Sequence, residues 1–78
     1  MTIDEILAPI LRVQRPLALE DAVGLLPHWD SARHVDVILA VEEAAGVDLT
    51  AAEIGRLRSI RDIVNLLREH GVEVEVRR

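Results

Sequence analysis

The chain has 78 residues, a net charge of −5, and hydrophobic side chains at half of its positions. That length suits one domain with one modest core. It has no cysteine, which excludes a disulfide framework and a zinc–thiolate site, and its acidity disfavours nucleic acid as the main partner. No apolar run is long enough to span a bilayer, and the first residues lack the pattern of a signal peptide. The chain is therefore expected to be soluble and cytoplasmic.

Thr2 and Glu5 have the spacing of a capping box, and Ile3, Leu7, Ile10 and Leu11 follow as an apolar stripe. This predicts a first helix ending near Val13 or Gln14. Pro9 would collide with the carbonyl of Glu5 in a helix begun at Ile3, so a kink or a later start is expected. Residues 15–29 are punctuated by Pro16, Gly24 and Pro27 but carry Leu17, Leu19, Val23, Leu25 and Leu26. That is too apolar for a free linker. It predicts an ordered loop across the helix ends, with a short turn near residues 19–23 and its leucines buried. Trp29 either anchors this loop or belongs to a docking surface, and the anchoring role is preferred.

Asp30 is a natural helix cap, and Ser31 then stands exposed in the first turn. The helix runs to Ala45, with Val37, Ile38, Val41 and Ala45 facing inward and Gly46 closing it. Val35 and Leu39 continue the row that begins at Ser31, at the core edge or on the surface. Asp30, Asp36, Glu42, Glu43, Asp48 and Glu53 make residues 28–55 acidic, with Arg33 as the only cation there apart from histidine. Thr50 and Glu53 predict a second capping box and a short helix from Ala51 to about Arg56. Ser59 and Asp62 predict a third box, and Ile60, Ile63, Val64, Leu66 and Leu67 an amphipathic last helix ended by Gly71. His70 is expected to interact with the last carbonyls of that helix. The fold class is all-α, a small four-helix bundle over residues 1–71. Residues 72–78 alternate like a strand but have no evident partner, so they are expected to form a mobile tail.

Trp29-Asp30-Ser31, the acidic helix after it, Gly46-Val47-Asp48-Leu49, the short helix, and Ser59-Ile60-Arg61-Asp62-Ile63 together resemble an acyl or peptidyl carrier protein. The resemblance runs from about Leu19 to Leu67. It implies a four-helix bundle with 4′-phosphopantetheine on Ser31, placed there from coenzyme A by a phosphopantetheinyl transferase, with Asp30 as the aspartate of the motif. It implies that the arm carries an acyl or aminoacyl thioester to partner enzymes: a loading enzyme, then acyltransferase, ketosynthase or condensing-type enzymes, in fatty acid, polyketide or related biosynthesis. By position, Ala32, Val35, Asp36, Leu39, Glu42 and Glu43 would form the docking surface. A monomer with no nucleic acid or membrane partner is expected.

The sequence departs from the family at Ala32, where leucine or methionine is usual. It departs again at Pro27-His28-Trp29, where assembly-line peptidyl carriers have a glycine pair. Both tilt the reading toward a discrete acyl or aminoacyl carrier.

Such a carrier is a substrate and not an enzyme. The class-different alternative is an unmodified acidic adaptor domain. Ser31, His34 and Asp30 or Asp36 hold the residue types of a hydrolytic triad, but the segment offers no oxyanion hole. His28, Asp30 and His34 lack an established metal-ligand spacing.

Overall fold

A computed structural model describes residues 1–76. Among these, the chain forms four helices: α1 (Ile3–Leu11), α2 (Ser31–Ala45), α3 (Ala51–Arg56) and α4 (Ile60–Glu69). This is the expected bundle of three main helices and a short third. In α1 the Glu5 amide donates to Thr2 Oγ1, and the Thr2 amide donates to the Glu5 carboxylate, both at 3.2 Å. Ile3, Leu7 and Leu11 form its fully buried row. The helix starts at Ile3 and runs through Pro9, so the later start is not seen; Pro9 is exposed and its ring is accommodated on the solvent side. It also ends earlier than expected. Arg12 takes a left-handed conformation at φ 56°, and its amide donates to the Ala8 carbonyl at 2.8 Å. That conformation costs a non-glycine residue roughly 1–2 kcal/mol.

The long loop is held at both ends. Asp4 Oδ1 accepts from the Leu17 amide at 2.8 Å, and Leu17 is fully buried. Asp21, also buried, accepts from both terminal nitrogens of Arg15 and from the Ala18 amide, each at 2.8 Å. The Arg15 hydrogen bonds hold the Asp21 carboxyl below its ordinary pKa, more than offsetting the opposing effect of burial. Further on, the Asp21 and Leu19 carbonyls accept from the Ile60 and Arg61 amides, and Val23 donates to the Arg58 carbonyl. The loop thus supplies acceptors for two amides that the start of α4 leaves free. Leu25 departs from expectation. A turn closed by its amide on the Ala22 carbonyl, with Gly24 at φ 86°, leaves it 73% exposed.

The mobile-tail reading of residues 72–78 is corrected for residues 72–76. Val74 is 5% exposed, and Thr2 and Glu75 pair in parallel. Ile3 donates to the Glu75 carbonyl at 2.9 Å, and Glu75 donates to the Met1 carbonyl at 3.0 Å. The partner that seemed missing is the extended residue ahead of α1, Thr2, with φ −108° and ψ 152°. Residues 77–78 lie outside the described residues. Trp29, Val37, Ile63 and Leu67 are fully buried in the same core cluster as the α1 row. The radius of gyration, 11.2 Å, is close to the roughly 11.5 Å of a folded chain this long, so loop and tail lie against the body. No described helix is long and apolar enough to cross a membrane.

Candidate functional site

The start of α2 is built on a buried indole. Trp29 is fully buried, and its Nε1 donates to His34 Nδ1 at 2.9 Å. The two ring centroids are 5.9 Å apart. The Trp29 carbonyl accepts from Gly24 at 2.8 Å, tying the loop to the same point. Trp29 is therefore an anchor and not part of an exposed docking surface. Asp30 is extended, and its Oδ1 accepts from the Arg33 amide at 2.8 Å as the cap. Arg33 reaches the Ile10 carbonyl at 3.3 Å, fixing this end of α2 to α1. Ser31 is exposed at the first helical position, and its hydroxyl has no hydrogen bond to any described residue.

Ser31 and His34 line an open cleft of about 290 Å³ between the loop, α2 and the end of α3. Val23, Ile54 and Leu57 form its apolar walls, and Arg58 stands at its edge. Because His34 Nδ1 accepts from Trp29, the proton of the neutral ring belongs on Nε2. Asp30 Oδ1 accepts from the Arg33 amide, and among the described residues His34 makes no hydrogen bond to Asp30 or Asp36, so the Asp–His arm of a triad is not formed. Among the described residues, no three potential metal ligands come together.

The exposed side of α2 carries the row Ser31, Val35 and Leu39, the last two 60% and 58% exposed. Ala32, Asp36 and Glu43 are exposed beside it. Glu42 differs from its neighbour. It is half-buried, and its Oε2 accepts from the Leu49 amide at 2.9 Å, bracing the α2–α3 connection. Glu43 flanks a shallow depression with Leu39, Val47 and Asp48.

Helix α3 forms the far wall of the cleft and contains no fully buried residue. Its caps, the packing of Ile54 against the core, an ion pair and a contact with His70 hold it. Glu53 accepts from the Thr50 amide at 2.9 Å and meets His70 Nε2 at 2.7 Å. The Thr50 bond, then His70, lowers the Glu53 pKa. Arg56 pairs with Glu69 at 2.8 Å. His70 thus serves α3 through its side chain. Ser31 and Asp30 are the site residues expected from the sequence; Arg58 and the His34 bond are not. The three-residue step from Ser31 to His34 was visible in the sequence; the approach of Arg58 depends on the loop-to-α4 pairing, which has no local signature.

No family model, curated protein or solved structure matches this chain. The fold and the geometry of this site are therefore the ground for a functional reading.

Proposed function

We propose that this chain is a carrier domain that bears 4′-phosphopantetheine on Ser31. The observation that carries the reading is an exposed serine with an unengaged hydroxyl, on the first turn of α2 directly after its aspartate cap. In the reaction, Ser31 Oγ attacks the phosphorus of coenzyme A that bears the pantetheine. The Oγ–P bond forms, the P–O–P anhydride bond breaks, 3′,5′-ADP leaves, and the hydroxyl proton passes to a base of the transferase. The terminal thiol then holds an acyl or aminoacyl group as a thioester. Tethering raises the effective concentration of that cargo at each enzyme the domain docks.

The domain's part is to hold Ser31 rigidly and to offer a surface. Trp29 and Asp30 do the first. Ala32, Val35, Asp36, Leu39 and Glu43 do the second, as an apolar row with acids beside it. On this reading the chain is a substrate of its partners and not an enzyme. The partners are a phosphopantetheinyl transferase, a loading enzyme, and an acyltransferase, ketosynthase or condensing-type enzyme in fatty acid, polyketide or related biosynthesis.

Incubation with coenzyme A and a broad-specificity transferase should add one phosphopantetheine per chain, measured by intact mass. Ser31→Ala should abolish the addition and leave the helical circular dichroism unchanged. No mass gain across several competent transferases would instead favour an unmodified interaction domain using the same α2 surface.

A further inference from the structure

We infer that the cleft beside Ser31 seats the phosphodiester of the arm, with the Arg58 guanidinium and His34 Nε2–H as its two donors. This inference rests on the carrier function proposed for Ser31. A phosphodiester carries one negative charge and two non-bridging oxygens that only accept hydrogen bonds. Attached to Ser31 Oγ, its phosphorus lies one bond from an atom of the cleft's own residue. His34 and Arg58 line the same cleft.

Both donors are uncommitted in the required sense. Trp29 occupies His34 Nδ1, which leaves Nε2 as the protonated nitrogen, a donor in a known tautomer. Arg15, Arg33, Arg56 and Arg68 engage Asp21, the Ile10 carbonyl, Glu69 and Glu73. The Arg58 guanidinium has no ion pair or hydrogen bond among the described residues, although its backbone is used on both sides. A planar guanidinium matches two phosphate oxygens well.

The apolar walls suit the pantoyl unit, the part of the arm next to the phosphate. That unit begins with a methylene followed by a carbon bearing two methyl groups, and Val23 and Ile54 present apolar surface there, backed by the buried Leu57. In a chain of net charge −5, a free cation beside the one position that gains an anion is complementary to it. The arm's first segment is thus held against the domain until a partner draws it out.

The test uses the intact modified chain and its Arg58→Ala variant, which removes a side chain with no hydrogen bond or ion pair among the described residues. Intact mass first establishes that both carry the arm. In the wild type, nuclear Overhauser contacts should join the pantoyl methyls to Val23, Ile54 or Leu57 methyls. Its ³¹P resonance should also differ from that of a phosphopantetheinylated peptide spanning residues 28–34. Arg58→Ala should weaken the contacts several-fold and move the ³¹P resonance toward the peptide's. His34→Gln, which keeps a side-chain donor, should retain more of both than His34→Ala. Modified chains lacking these contacts, with one ³¹P shift shared by wild type, Arg58→Ala and peptide, overturn the seat and leave the carrier reading standing. Failure to add the arm at all overturns both.

Discussion

Trp29 and His34 show how one side chain determines the worth of another. A buried indole N–H left unpaired costs roughly 1–3 kcal/mol, and His34 removes that cost by accepting it. Replacements of His34 should therefore be unequal. His34→Gln keeps a side-chain acceptor within reach of the indole and should cost less than about 1 kcal/mol. His34→Leu strands the N–H in the core and should cost about 1–3 kcal/mol. Urea denaturation of both variants gives the ordering, and the reverse order would refute this account. The Asp30 cap was legible because it reaches only three residues along the chain. The His34 bond was not, since it spans the join between loop and helix, where the sequence has no period.

At the scale of the element, adjacent acids on α2 have different work. Glu42 braces the Leu49 amide while Glu43 stands in solvent. Glu42→Arg should cost about 1 kcal/mol of stability through the lost bond. Glu43→Arg should stay within about 0.5 kcal/mol but, on the carrier function proposed above, raise a partner's KM for this chain at low salt, with saturated turnover little changed. Thermal melts and carrier-dependent kinetics separate the two, and equal KM values for Glu43→Arg and wild type would remove Glu43 from the docking surface. Periodicity revealed the face of α2 but not which acid turns back toward the next loop. A single methylene matters similarly at the caps. Glu5 and Glu53 close their boxes, whereas the shorter Asp62 accepts from the Arg58 amide at 3.0 Å and leaves the Ser59 box half-made.

For the whole molecule, the acid limb of stability is set by carboxylates the fold has engaged. Asp21 and Glu53 both have lowered pKa values, so the unfolded chain takes up their protons more readily. Their stabilisation is complete above the ordinary carboxylate range, about 4. It is lost as pH falls through the lower folded values. Asp21→Asn should cost about 1.5–3 kcal/mol at pH 7, and the gap from wild type should narrow as pH falls below about 4. Denaturant titrations between pH 7 and pH 2 test this; a constant gap would mean that the Asp21 charge is not the source. The helices were legible because each is periodic and locally capped. The order of the long loop was legible in outline from its apolar residues, but its pairing of Ala22 with Ser59 was not. The pairing of Thr2 with Glu75 was missed for the same reason, because each joins segments far apart in sequence.

The parallel pairing of Thr2 with Glu75 fixes how tension would enter the molecule. Handles at the two chain ends pull these two paired segments in opposite directions along their common axis. The two bonds, Ile3 to Glu75 and Glu75 to Met1, are then loaded together in shear instead of being peeled apart one at a time. The helices behind them feel the load only after that clasp slips. Single-molecule pulling from both ends should show an initial rupture that is absent when the second handle is placed at Gly71, and identical traces would mean that the clasp bears no load.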